Sequence, residues 1–436
     1  MMRPETSLRT GATAVLLVLA LTLVLPADST ADEEWIRTTG DILQIALPVI
    51  GGGSTFFTNP EPGKSWDKEG TRQAVYAYGS AWGTTYALKL ILSKARPNGD
   101  NRTSFPSGHT MSAFAGAAFI DGRYGKTFGI PALALAAFTG YSRVQSQWHY
   151  QDDVIAGASI GMMYAWHFVT PQPGKVSLLP TVGAQGVGLA VTVGADRGRN
   201  DPVAEAAPRR SSYDFAFGPA FLLSNKTSSL GDGGTLFELG DLEGNNDPTT
   251  TAALTVGIPT SERGRITFMY GPFEARDRGT FSQDVNFGGN LYTAGTPVFS
   301  AWRFYDLRAH YQHTVLDEKR WGVELGAGLG LMYSYVAMES QDKQTSSFVD
   351  DQTAYPYLYG ALEHRFKGRV RIEGSVEGMS LNDDWIFDAT LALKYQASRA
   401  WDFALGYTYF TRKITTDTLF NEVRYSVPTL SVTRFW

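Results

Sequence analysis

The chain has 436 residues, enough for two or three domains, and its net charge of −5 argues against nucleic acid as a partner. With no cysteine, no disulfide staples any part of it. Its 25 Phe, 21 Tyr, 10 Trp and 46 Gly fit membrane β-structure better than an average soluble enzyme.

The chain opens on a processing segment. Arg3 and Arg9 give a basic start, residues 12–26 are apolar, and Ser29-Thr30-Ala31 places small residues before Asp32-Glu33-Glu34. This pattern predicts a secretory signal peptide over residues 1–31; the apolar core is short for the alternative, a retained membrane anchor. From Ile42 to Thr170 the periodicity is helical, with helices expected near 40–50, 72–95, 109–120, 127–142 and 152–168. Their uncharged runs mostly fall short of the roughly 20 residues that a spanning helix needs. The longer run over 42–60 is broken by Pro48 and Gly51-Gly52-Gly53. Residues 32–170 therefore read as a compact helical bundle, soluble or at a membrane surface.

Three segments of that bundle carry chemistry: Lys89 to Arg96-Pro97, Pro106-Ser107-Gly108-His109, and Ser142-Arg143 to His149 and Asp153. Lys89 and Arg96 are seven apart, two helical turns, so both are expected on one face of a helix ending at Arg96, before the proline. Two cations there make a clamp for a phosphate. Ser107-Gly108 precedes an apolar helix, and its free N–H groups and positive dipole end suit an anion, with His109 in the first turn beside it. His149 and Asp153 are four apart, one turn on one helix face, so the carboxylate can accept the imidazole N–H and leave the other nitrogen free to attack. Arg143 lies just outside that helix as a third phosphate ligand. Other residues read as structural: His167, His310, His313 and His364 as core or surface histidines, Lys94 as solvated on another helix face, Asp152 as favouring a helix start, Trp148 as packing.

These segments resemble the signature of the type 2 phosphatidic acid phosphatases (PAP2), Lys-x6-Arg-Pro, Pro-Ser-Gly-His and Ser-Arg-x5-His-x3-Asp, at every defined position. The resemblance covers roughly residues 40–170. It implies that His149 is the nucleophile and becomes phosphohistidine, that His109 protonates the leaving oxygen, and that Asp153 orients His149. Lys89, Arg96, Arg143, Ser107 and the Gly108 N–H would hold the phosphoryl oxygens. It implies no metal and no cofactor, because the cations meet the developing charge. The same scaffold serves vanadate-dependent haloperoxidases and periplasmic acid phosphatases, so the motif defines an oxyanion site better than a substrate.

Pro171, Pro173 and Gly174 end the helical pattern. Residues 171–211 read as a linker that includes a hairpin over 175–195 and a charged, Pro/Ala-rich stretch over 196–210. From Tyr213 onward the period is two, as in Trp401-Asp-Phe403-Ala-Leu405-Gly-Tyr407-Thr-Tyr409, and the last strand ends on Trp436, which resembles the C-terminal signal of bacterial outer-membrane proteins. Short turns near 261–264, 317–319, 366–368 and 397–399 alternate with longer polar links at 224–248, 276–297, 339–353 and 414–421 and a short one at 381–384. Residues 212–436 thus read as an antiparallel transmembrane β-barrel of about ten strands, starting near 212, 249, 264, 298, 320, 355, 369, 386, 401 and 422, with eight or twelve as alternative counts. A soluble β-sandwich or lipocalin-like barrel is the competing architecture.

The fold class is therefore α+β multidomain, a helical PAP2-like bundle followed by an outer-membrane barrel. The expected function is a metal-independent phosphatase of envelope lipid phosphates, placed in the periplasm by a barrel in the bacterial outer membrane. The alternatives are a lipid phosphotransferase using the same site, a vanadate haloperoxidase, and a pore or adhesin whose helical domain is a plug or spacer.

Overall fold

The computed structural model describes residues 33–172 except 62, residues 176–183, 186–193, 210–242 and 249–436. The segment read as a signal peptide lies outside these residues, as does all of 194–209 in the linker. The chain divides into two compact units, Met1–Ala207 and Pro208–Trp436.

Among the described residues the first unit contains five helices: α1 (Glu33–Ser54), α2 (Lys68–Leu92), α3 (Gly108–Tyr124), α4 (Lys126–Gln145) and α5 (Gln151–Phe168). Helices α3 and α5 form its centre, and about three quarters of the residues of each are buried. They can approach closely because the contact is lined by small residues. A Cβ on Gly157 of α5 would overlap the Ser107 carbonyl oxygen, so only glycine lets the start of α3 seat against α5. That contact brings the Ser107–His109 turn beside the start of α5, where Asp153 lies. The α3–α4 turn needs the positive φ of Gly125, +88°. After α5, strands β1 (Val176–Gly183) and β2 (Gly186–Val193) pair antiparallel.

In the second unit, ten strands close into a barrel: β3 (Ser212–Ser229), β5 (Thr249–Pro259), β6 (Gly264–Thr280), β9 (Pro297–Asp317), β10 (Trp321–Ser340), β11 (Ser346–Arg365), β12 (Val370–Leu381), β13 (Asp384–Gln396), β14 (Trp401–Thr415) and β15 (Leu419–Phe435). Each pairs antiparallel with its neighbour, and β15 pairs with β3 to remove the open edges. The count of ten agrees with the sequence. The strand ends differ at the long links: β3 runs to Ser229 and β6 to Thr280, inside stretches read as polar links. Strand β11 begins at Ser346, inside the stretch 339–353 read as a polar link, and only residues 416–418 separate β14 from β15. Polar residues such as Ser346, Asp350 and Gln352 read as loop by composition, yet each finds a ladder partner on β10, at Glu339, Tyr335 and Tyr333.

Along the barrel strands, burial alternates with period two. Large apolar residues such as Leu329, Leu331, Leu358, Leu391 and Leu405 face outward and stay more than half exposed. At the end opposite the tight turns, the interior is filled. Strand β4 (Phe237–Glu238) with Leu239 and Leu242, and the β7 (Val285–Phe287) and β8 (Asn290–Tyr292) hairpin with Phe281, pack on Trp302, Phe304, Met332 and Phe410. Toward the tight turns the interior becomes polar, with Asp306, Arg308, His310 and Gln312 following one another inward along β9.

Candidate active site

The three sequence segments meet in the helical unit, though partly by other local geometry than their spacing predicts. Helix α2 ends at Leu92, not at Arg96, through a left-handed Ser93 (φ 44°, ψ 44°). Arg96 therefore lies in the following loop and does not share a helix face with Lys89. Its backbone N–H donates to the Asn101 carbonyl at 2.9 Å, and its guanidinium lies 4.8 Å over the Trp148 ring. Trp148, read as packing, is thus the platform of a site cation. Likewise α5 begins at Gln151, so His149 precedes the helix rather than lying on it. The His149–Asp153 contact survives because Asp153 caps this start: its Oδ2 accepts the Tyr150 N–H at 2.9 Å and lies 3.5 Å from His149 Nδ1.

Asp153 is fully buried and held from every side. The Ser104 hydroxyl donates to its Oδ2 at 2.5 Å, and Lys94 Nζ is 3.1 Å from its Oδ1. Burial alone would raise the proton affinity of this carboxyl; Lys94, His149 and Ser104 overcome that and hold it well below the usual carboxylate range. The reading of Lys94 as a solvated lysine is overturned. It is 7% exposed, 2.5 Å from Asp152 Oδ2, and 4.4 Å over the Tyr150 ring. Helical spacing misplaced it because the helix stops before it. Asp152 is buried as the partner of Lys94 and does more than charge a helix start.

On the other side of the site, α3 starts at Gly108 with Ser107 as its cap. The Ser107 hydroxyl is fully buried and accepts from Thr110 Oγ1 at 2.9 Å and from the Thr110 N–H at 3.4 Å. The N–H groups of Gly108 and His109 belong to the first turn, which has no intrahelical acceptors. Arg143, in the last turn of α4, is 1% exposed and donates from Nη1 to Asp41 Oδ1 at 2.7 Å and from Nη2 to the Arg37 carbonyl at 2.7 Å. The same Asp41 oxygen is 3.3 Å from His109 Nε2. Sequence reasoning missed Asp41, which lies on α1 about a hundred residues from Arg143. No local spacing marks it, and the one available signal is an acidic residue immediately before the uncharged run that starts at Ile42.

The charges of the site do not cancel. Among the described residues Lys89 Nζ donates only to carbonyls, those of Thr103 at 2.5 Å and Ser104 at 3.5 Å, and burial with nearby Arg96 brings it down to about 8 despite Asp153. Arg96 Nε and Nη1 are buried without a hydrogen-bond partner among the described residues. Burial, Arg143 and His149 push His109 down to about 4, against the opposing pull of Asp41. Burial likewise lowers His149, with Lys89 and Arg96 adding to the effect and Asp153 opposing it. A pocket whose cations suppress one another's charge is built for an anion that relieves them. From Lys89, Gly108 and His109 a groove of 620 Å³ runs between α1, α2 and α3, lined by Ile45, Val49, Val75, Tyr78, Trp82 and Tyr86.

Comparison with known proteins bears on the family of the helical unit. The family model described as PAP2 superfamily matches residues 42–176. The chain is 34% identical over 103 residues to the lipid A 1-phosphatase of Porphyromonas gingivalis, 23% of each protein. It is 31% identical over 138 residues to the lipid A 4'-phosphatase of Helicobacter pylori, 30% of this chain and 67% of that one. The chain thus spans less than a quarter of the first relative and two thirds of the second. Among solved structures it is similar to Aquifex aeolicus LpxE, with 21% identity over 35% of this chain and 92% of that one and a TM-score of 0.28. It is also similar to the outer membrane protease OmpT of Escherichia coli, with 9% identity over 54% of this chain and 99% of that one and a TM-score of 0.38.

Proposed function

Because this chain belongs to the PAP2 superfamily, we propose that its helical unit is a metal-independent phosphatase of envelope lipid phosphates that works through a phosphohistidine on His149. The observation that carries this reading is the junction of an uncancelled cation site with an apolar groove at Lys89, Gly108 and His109. A lipid phosphate has that same polarity, a dianionic head on an apolar tail. The names of the two lipid A phosphatase relatives support the same substrate class.

In this mechanism Lys89, Arg96, Arg143 and the first-turn N–H groups of α3 hold the phosphoryl oxygens, with the Ser107 hydroxyl free to donate its proton to one of them. His149 Nε2 attacks phosphorus while its Nδ1–H faces Asp153. The 3.5 Å contact is long for a hydrogen bond and tightens as the imidazolium forms. The bond from phosphorus to the lipid oxygen breaks, and His109 gives that oxygen its proton. Water then attacks the phosphohistidine, His109 takes the water's proton, and the N–P bond breaks to release phosphate. Buried Asp153, kept ionised by Lys94, fixes the tautomer throughout.

The barrel reads as the anchor, in the outer membrane with the helical unit in the periplasm. The outward apolar belt supports this placement, since water on it would be unfavourable and a bilayer covers it. The apolar filling of one end favours an anchor over an open pore. The test is phosphate release by the purified full chain from a panel of lipid phosphates, with and without a chelator. Turnover should survive EDTA, vanish in His149→Ala, and leave an acid-labile phosphohistidine in the quenched wild type. Turnover in His149→Ala, or its loss in EDTA, overturns the reading. For topology, a protease site in the 194–209 stretch should resist cleavage in intact cells.

A further inference from the structure

The groove opens on an unusual surface. Ile42, Ile45, Val49 and Ile50 on α1 recur at helical spacing and are each about 60% exposed. Facing them across the groove, α2 presents Val75, Tyr78, Trp82, Tyr86 and Leu90, with exposures from 36% to 66%. No Asp, Glu, Lys or Arg occurs from Ile42 to Pro60 or from Gln73 to Leu88. Soluble surfaces rarely leave so much contiguous apolar area uncovered.

We propose that these paired faces of α1 and α2 are a docking surface for one leaflet of a bilayer, from which the groove takes its lipid sideways. Three observations favour lipid as the occupant. First, the face is continuous with the groove, and the groove ends on the cations, so a lipid lying in the leaflet already has its tail toward the groove and its phosphate toward the site. Second, the aromatic residues on it are of the interfacial kind. Trp82 stacks on Tyr86 at 5.4 Å, and Phe56 stacks on Trp66 at 5.8 Å where the charges resume. Third, the uncharged length is wrong for crossing. Val75 to Lys89 spans about 21 Å of helix, against about 30 Å of hydrocarbon. Charged residues stand at both ends, Glu61, Lys64 and Arg72 at one and Lys89 at the other, and no described helix is long and apolar enough to span. Helices bracketed by charge at this distance lie in the interface plane.

The lateral route rests on the lipid-phosphatase reading, while the docking itself is tested independently. The chain has no cysteine, so single spin labels at Ile50→Cys, Val75→Cys and Leu90→Cys report without background. In the full chain reconstituted into phosphatidylethanolamine–phosphatidylglycerol vesicles, these labels should collide with oxygen and be shielded from a water-soluble nickel relaxant. Labels at Glu61→Cys and Arg102→Cys should show the reverse. Water-exposed labels at all three apolar sites overturn the proposal. So does shielding from nickel without oxygen collisions, which would mean that protein covers the face, either residues 1–32 or a second copy.

The loading arm uses Phe57→Glu and Ile91→Glu, which are 83% and 73% exposed in the wild type and lie outside the groove lining. Turnover of a vesicle-borne lipid phosphate should fall about tenfold, while turnover of a water-soluble aryl phosphate stays at the wild-type rate. Equal loss on both substrates, or on neither, overturns lateral loading. A wild type inactive on both would sink the phosphatase reading instead, and the labels would still read the docking.

Discussion

Arg308 of the barrel and Arg96 of the helical unit are both sequestered guanidinium groups, yet their surroundings are opposite. Arg308 reaches Asp306 at 2.6 Å, Glu377 at 2.6 Å, Asp388 at 3.1 Å and the Tyr355 hydroxyl at 3.1 Å. Its charge is more than cancelled inside the barrel wall. Arg96 leans on a ring and keeps two buried nitrogens without partners among the described residues, close to Lys89 and Arg143. A buried cation with its carboxylates in place is structure. A set of cations short of carboxylates is a site that awaits its anion.

That contrast breaks most sharply under mutation. Arg96→Ala should lower kcat/KM by about 10²- to 10³-fold and weaken inhibition by vanadate, a mimic of the pentacoordinate phosphoryl transition state, with little change in thermal unfolding of the helical unit. Arg308→Ala should do the reverse. Three acidic side chains lose their partner, so the barrel should lose about 3–5 kcal/mol, seen as a lower temperature for its heat-modifiable gel shift, while the folded fraction turns over normally. If Arg96→Ala unfolds its unit and leaves kcat/KM intact, the distinction drawn here is wrong.

A smaller effect is expected at Lys94, which belongs to the cancelled class although it sits in the site. Lys94→Met should lower kcat by about 10- to 100-fold with KM nearly unchanged, because phosphate does not touch it and the orientation of His149 through Asp153 does. Lys94→Arg should restore part of the rate by keeping the charge. A change in KM alone would place Lys94 among the phosphate ligands.

Lys94 also shows where the sequence is legible and where it is not. The identities in the three motifs, the helical bundle, and the ten-strand closed barrel can all be read from spacing and period. The contacts of Lys94, Arg96 and His149 cannot, because each lies just outside a helix whose end is decided by tertiary packing. Ser93 turns left-handed where the Arg96-Pro97 pair predicts continuation, and the cap on α5 is set by Asp153 bonding back to Tyr150. Asp41 was out of reach for another reason, since a contact between α1 and α4 leaves no trace in the spacing of either. In the barrel, outward residues follow from period two, but the plug from Phe237 to Leu242 and Phe281 to Tyr292 reads only as polar loop, its apolar members too sparse to signal a core.

The smallest expected effect lies in the pH profile and sharpens the contrast at one residue. His109 must carry a proton to release the lipid oxygen, yet in the empty site it is held down to about 4. Burial, Arg143, His149 and Arg96 disfavour its charged form, and Asp41 alone favours it. The protonated fraction therefore falls as pH rises above about 4, so kcat/KM should decline on the alkaline side of an acidic optimum. Asp41→Asn removes the one group that raises His109, and the alkaline limb should move to lower pH. Titration of the substrate phosphate is common to both enzymes and drops out of the difference. Asp41→Asn also removes the charge that offsets Arg143, so KM should fall while kcat at neutral pH falls too. The decline should be steeper for an alkyl phosphate than for an activated aryl phosphate, whose leaving group needs no proton. A limb that stays in place in Asp41→Asn would mean that Asp41 serves Arg143 alone, and that the carboxylate shared between cation and acid has no part in setting the proton on His109.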